Sequence, residues 1–339
     1  MINQDTVELI PIDGAAERVR QEMETAMSGS PSSVREYMRY LSGSHGKFIR
    51  ALSVLSCADN GEGFVPPDAV RLAAAVEILH LATLVHDDVI DEADLRRGAV
   101  TLQKKYGKHT AVVCGDYLFC LALRQVSLVE DRKDYLDLEF PDYMGRVCLG
   151  ELYETQNHFN FDLTVSRYLR IIDGKTAALF EASFYAGALV SRQPKKELKK
   201  YKKLGRYAGM IFQLTDDCID FEAPEQLAQK PVQSDYEQGV VTLPLIFTFH
   251  QDASCKKKAE EHCLTHSEID SAVRRAGGLK YTHGISEKYY NKALKILASL
   301  DAAQKKKDRL KSILDKAFRG LQPESHSSFA ALSCGPVGK

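Results

Sequence analysis

The chain has 339 residues, of which 44% are hydrophobic and 27% charged, enough apolar material for a sizeable core and too much for wholesale disorder. Lys and Arg total 45 against 46 Asp and Glu, and a net charge of -1 leaves no electrostatic footprint for a nucleic-acid binder. Eight cysteines form no CxxC pair, which argues against a zinc knuckle and suits reduced thiols in the cytosol.

The opening residues MINQDTVELIPIDGAAERVR carry acids and no long apolar run, so no signal peptide is expected. No stretch of roughly 18 apolar residues stands out, and no membrane span is expected. GKFIR at 46–50 puts Lys47 and Arg50 on one side of a helix start. Pro66-Pro67 followed by Asp68 marks another start, and residues 69–93 contain no Gly or Pro and many good helix formers. Helices are expected over 109–129, 143–157, 166–190, 198–221 and 242–250 as well, with loops at 128–141 and 222–240. Basic runs at 194–203 and 255–261 read as solvated helix faces, with a weak attraction for anionic membrane surfaces as the sharper alternative that nothing else in the sequence supports. Residues 322–339 lack periodicity and read as a tail, leaving one all-α domain over residues 1–321.

Two acidic patterns interrupt apolar helix. In HDDVIDEADLRRG at 86–98, Asp87 and Asp91 share a helix face and Asp88 lies next to it. Glu77, His80, Asp87 and Asp91 form one narrow polar stripe on an otherwise apolar helix, and such a stripe must face something polar inside the protein. His80 reads either as a ligand on that stripe or as a satisfied core histidine. In FQLTDDCIDFE at 212–222, Asp216, Asp217 and Asp220 repeat the DDxxD spacing, with Gly209 and Gln213 along the same face. Carboxylates so embedded need cations or become protonated. Hard oxygen ligands on facing helices suit Mg²⁺, which keeps several waters and bridges to substrate phosphates. Cations stand ready in the sequence: Lys47 and Arg50, Arg96 and Arg97, Lys175 with Thr176 in GKTAALFEAS, and Lys230.

With these motifs in hand, the chain resembles the trans-isoprenyl (polyprenyl) diphosphate synthases. The resemblance runs from about residue 40 to about residue 250 and rests on GKFIR, EILHLATLVHDDVIDEADLRRG, GKTAALFEAS, GRYAGMIFQLTDDCIDFE and KPVQSDYEQGVVTLP, in the family's order. Three departures stand out: Phe48 and Ala51 where the family often has GKRxRP, and Gln229 where a Gly often precedes the Lys. The resemblance implies the isoprenoid synthase fold, a single bundle of antiparallel helices around a central cavity. It implies that Asp87, Asp88, Asp91, Asp216, Asp217 and Asp220 bind about three Mg²⁺ around an allylic diphosphate. Arg96, Lys175, Thr176, Gln213 and Lys230 would hold that diphosphate; Lys47, Arg50, His80 and Arg97 would hold isopentenyl diphosphate.

The implied reaction breaks the allylic C–O bond, adds the isopentenyl double bond to the resulting cation and loses a proton to the departing diphosphate. Ala82 and Thr83, the fifth and fourth residues before the first motif, are small, and the resemblance then implies an open tunnel and a product of roughly C30 to C50. Tyr153 and Phe159 are candidates for a deeper floor. A short-chain geranylgeranyl or farnesyl diphosphate synthase remains the rival reading, and the catalytic subunit of a heteromeric synthase another. A cytoplasmic homodimer is implied, with a small second subunit left open, no nucleic acid and no stable membrane insertion.

Overall fold

A computed structural model describes residues 8–43, 46–96, 98–129, 140–222 and 234–319. The described residues are helical nearly throughout: α1 (Ile12–Ser28), α2 (Ser32–Ser42), α3 (Ile49–Ala58), α4 (Pro67–Ile90), α5 (Leu102–Tyr106), α6 (Lys108–Ser127) and α7 (Phe140–Thr155). Next come α8 (Val165–Ile172), α9 (Ala178–Val190), α10 (Lys195–Glu222), α11 (Ser234–Glu237), α12 (Leu243–Gln251), α13 (Ala253–Glu260), α14 (His266–Ala276), α15 (Gly278–Ala298) and α16 (Gln304–Arg319). Among the described residues the only sheet is two antiparallel pairs of two-residue strands, Ile10–Pro11 with Phe64–Val65 and Leu95–Arg96 with Ala99–Val100. This is the all-α helix bundle around a cavity that the sequence leads one to expect.

The centre of the bundle is α4. Pro66 precedes it, Pro67 sits in its first turn where a missing N–H costs nothing, and Asp68 adds an acid at the positive end of the helix. It packs on α6, α3, α1 and α9. Leu72, Ile78 and Leu79 are fully buried, each stabilising the bundle by about 1.5–3 kcal/mol relative to exposure. Contrary to the sequence expectation, α4 is long and apolar enough to cross a membrane by length and composition alone, with a mean hydropathy of 1.5 over its most apolar window. Two thirds of that window is buried against the neighbouring helices, as in a core helix. The other long wall is α10, packed on α9, α15 and α16 around Phe180, Phe184, Tyr201 and Leu204.

Helix boundaries fall within a few residues of those read from the sequence, with one internal difference. The segment 166–190 is not one helix: a π-helical turn, Asp173–Ala177, separates α8 from α9. Such a turn inserts one residue into the ladder and rotates α9 relative to α8. Two glycines let neighbouring helices close on it. A Cβ at Gly150 of α7 would stand 2.1 Å from the Lys175 backbone N, and one at Gly209 of α10 would stand 2.5 Å from the Ala177 Cα. Most of the expected loops at 128–141 and 222–240, and the tail at 322–339, lie outside the described residues; Ser234–Glu237 forms a short helix.

Candidate active site

The two acidic motifs meet. The C-terminal end of α4 and the C-terminal part of α10 open onto one cavity of about 2090 Å³, lined by Asp87 and Asp91 from the first and Asp216 and Asp217 from the second. Lys47, Arg50, His80, Thr83, Arg96, Lys175, Thr176 and Gln213 line it too. These residues are scattered along the chain, and the fold brings them to one place. Arg97 and Lys230 lie outside the described residues.

The acids are not equivalent. Asp88, 6% exposed, turns away from the cavity, and its Oδ1 accepts the Arg96 Nε at 2.5 Å from the hairpin after α4. It is the next residue after Asp87, so about 100° around the helix, and it faces a different neighbour. Asp220 lies one turn beyond Asp216, near the end of α10, and is not among the lining residues. Asp217, 1% exposed, accepts on both oxygens: the Tyr168 hydroxyl donates to Oδ2 and the Gln213 Nε2 donates to Oδ1 at 3.0 Å. Thr176 in turn donates to the Gln213 Oε1 at 2.7 Å. A relay of hydrogen bonds thus joins the π turn, α10 and α8.

The π turn points Lys175 into the cavity. Its ammonium pairs with Glu151, 3.1 Å from Oε2, and with Glu154, both on α7. Asp173, at the start of the turn, is clamped by Arg206 at 2.5 Å and by Arg146 at 3.7 Å. The sequence reading does not single out Glu151, Glu154 or Tyr168. A partial signal exists: Glu151 and Glu154 stand three apart on an expected helix, so they share a face.

Electrostatically the cavity has too many acids for its cations. Burial pushes the Asp87 pKa up to about 7, against the pull of Lys175 and Arg96 and with help from Glu151 and Asp91. Burial also raises Asp217 well above the carboxylate range, against its bonds from Tyr168 and Gln213, and raises Glu154 despite Lys175. Burial works against the charge on Lys175, but Glu154, Glu151 and Asp87 outweigh it and hold the ammonium protonated. A bound cation would relieve each carboxylate. Among the described residues no three His, Cys, Asp or Glu side chains converge closely enough to hold a metal by themselves.

Two chain-length candidates separate as well. Thr83 lines the cavity, its hydroxyl bonded to the His80 carbonyl at 2.8 Å. Ala82 does not: it is 0% exposed and packed in the core. Tyr153 and Phe159, the expected deeper floor, are 42% and 47% exposed and do not line the cavity. Phe159 leaves the end of α7 with a left-handed φ of 56° and stacks edge-on against His262. The apolar wall is made instead by Leu79, Leu84, Phe119, Met144, Val147 and Leu179.

A family model described as Polyprenyl synthetase matches residues 31–277. The chain belongs to the polyprenyl synthetase family. It is similar to heptaprenyl diphosphate synthase component 2 of Geobacillus stearothermophilus, 34% identical over 286 residues that cover 83% of this chain and 88% of that one. Among solved structures it resembles the heptaprenyl diphosphate synthase of Staphylococcus aureus, with a TM-score of 0.82, 32% identity and coverage of 91% and 98%. It also resembles a polyprenyl synthase of Caulobacter crescentus solved with calcium and isoprenyl diphosphate, with a TM-score of 0.82, 26% identity and coverage of 91% and 95%. Polyprenyl diphosphate synthases are prenyltransferases, and this chain is an enzyme of that kind. The family uses a divalent metal, which agrees with the acid excess of this cavity.

Proposed function

We propose that the enzyme adds isopentenyl diphosphate repeatedly to an allylic prenyl diphosphate, making a medium- or long-chain all-trans polyprenyl diphosphate and releasing diphosphate at each addition. The observation that carries this is the meeting of Asp87 and Asp91 with Asp216 across one cavity, with Lys175 between them and the α7 acids. Asp87, Asp91 and Asp216 would hold Mg²⁺, about three ions with the substrate phosphates. When bound, the metal neutralises the charge that builds on the departing diphosphate.

The chain's own residues do the rest. Asp88 anchors Arg96, and Asp217 anchors Gln213, so that Arg96, the second Gln213 amide hydrogen and Lys175 present donors to the allylic diphosphate, and the Thr176 hydroxyl turns from the Gln213 oxygen to join them when substrate enters. Lys230 is the further cation for that diphosphate. Lys175 exchanges Glu151 and Glu154 for the phosphate oxygens when substrate enters. Lys47, Arg50, His80 and Arg97 hold isopentenyl diphosphate. The allylic C–O bond breaks with its electron pair on the diphosphate, and the isopentenyl double bond attacks the cation. The departing diphosphate takes the proton that is lost. Leu79, Phe119, Met144 and Val147 keep water from the cation.

A cavity of this volume with the small Thr83 on its wall supports a product of about C30 to C50, as do the heptaprenyl relatives. We place the activity in one helical domain over residues 1–321, in the cytoplasm and in a homodimer. Exposed Val112, Val113 and Leu123 on α6, with Leu149 on α7, support an apolar interface for that pairing. The "component 2" in the name of the Geobacillus relative supports a small second subunit beside it. Incubating the purified chain alone with Mg²⁺, farnesyl diphosphate and isopentenyl diphosphate, followed by chromatography of the products, tests the activity, the product length and the need for a second subunit. Polyprenyl product from this chain alone removes the need for a second subunit. Products no longer than C20 refute the chain-length reading, and no product even with a second subunit added refutes the activity.

A further inference from the structure

Glu77 carries the wrong charge for its place. It is a carboxylate, 8% exposed, on the wall of the cavity one turn of α4 before His80. Lys47 and Arg50 line the same cavity. An acid there repels a diphosphate, and a buried charge costs free energy without a partner. A backbone contact accounts for its place. The Glu77 Oε1 accepts the backbone N–H of Ala51 at 2.9 Å. Ala51 is the third residue of α3, and its N–H is one of the first-turn donors that have no acceptor within the helix. The residue before the helix, Phe48, is left-handed with φ 50° and makes no side-chain cap. Glu77 therefore does from a neighbouring helix what a Ser or Asp would do locally, and its charge suits the positive end of α3. From the opposite side the Arg50 guanidinium lies over the Phe180 ring of α9, 4.8 Å from its centroid. The first turn of α3 is thus held between α4 and α9.

We propose that Glu77 is a positioning residue for the isopentenyl half of the reaction: by anchoring the Ala51 N–H it sets where Lys47 and Arg50 stand. The proposal rests on the reading that these two cations hold that diphosphate. Steady-state kinetics tests it, varying each substrate in turn. Glu77→Ala raises the KM for isopentenyl diphosphate about tenfold and leaves the KM for the allylic substrate within about twofold, with helix content unchanged. Glu77→Gln keeps an oxygen that accepts the same N–H without the charge, and its KM for isopentenyl diphosphate stays within about twofold of wild type.

Ala51→Pro removes the donor from the other side, and because a proline also disfavours the helical backbone of Arg50 before it, the double substitution rather than the single one is the decisive readout. Ala51→Pro raises the same KM, and adding Glu77→Ala to it changes nothing further. A lower KM for isopentenyl diphosphate in Glu77→Ala, as simple loss of repulsion would give, overturns the proposal. So does an equal rise in both KM values, or additivity of the two substitutions. If Glu77→Ala does not fold, the Glu77→Gln and Ala51→Pro results decide. Wild type that makes no product from these substrates defeats the underlying reading of the site instead.

Discussion

Replacing Asp87 by Asn separates the cost of this carboxylate to the fold from its use in the site. Its pKa stands at about 7 against an ordinary 3.8, chiefly because of burial. A rise of about three pH units corresponds to about 4 kcal/mol in the metal-free protein above pH 7, and water in the open cavity reduces this to about 2 kcal/mol. The sign is fixed by proton counting. Between about pH 4 and pH 7 the folded carboxyl holds a proton that the unfolded one has released, so the metal-free fold loses stability as the pH rises through that window. Asn has no proton to lose. Asp217 and Glu154, raised by burial too, leave a residual slope of the same sign in the variant.

The assay is thermal unfolding in EDTA. Asp87→Asn melts a few degrees above wild type at pH 8, and the gap narrows towards pH 5. Mg²⁺ with inorganic diphosphate raises the Tm of wild type and raises that of the variant less, while the variant loses most of its turnover. A variant that melts at or below wild type at pH 8 without metal, or a gap that does not change with pH, refutes the reasoning.

Asp216→Ala lowers turnover by at least about 100-fold with helix content unchanged, because it removes an acid of the second motif that lines the cavity and that we propose as a metal ligand; near-normal turnover counts against that site. Thr83→Phe shortens the product, since a ring at that lining position blocks the tail, and an unchanged chain length by chromatography removes Thr83 from the tunnel. Gly150→Ala forces α7 away from the π turn, because its Cβ would stand 2.1 Å from the Lys175 backbone N. It lowers stability by about 1–3 kcal/mol and raises the KM for the allylic substrate, and a variant that melts and binds like wild type excludes this close approach.

Much of this enzyme is open to a reader of its sequence. Helix positions come from composition and from signals such as Pro66-Pro67-Asp68, and these are local. The two acidic motifs are recognisable because carboxylates in apolar helix conflict with burial unless something cationic faces them. The polar stripe through Glu77, His80, Asp87 and Asp91 does lie along one cavity wall. What the stripe does not tell is the separate partner of each member. Glu77 holds a helix end, and a one-residue step from Asp87 to Asp88 moves a carboxylate from the cavity to Arg96.

By itself, then, the sequence determined the helical class and the residue types that crowd the site, because periodicity and motif spacing are properties of short segments, and its motifs resembled the family that the comparisons show. Only the tertiary structure decided that Thr83 and not Ala82 meets the cavity, that Glu151 and Glu154 hold Lys175, and that a π turn aims that lysine. The physical reason is that one helix touches several neighbours at once. A step of about 100° per residue hands adjacent side chains to different partners, and only the packing of the whole bundle says which.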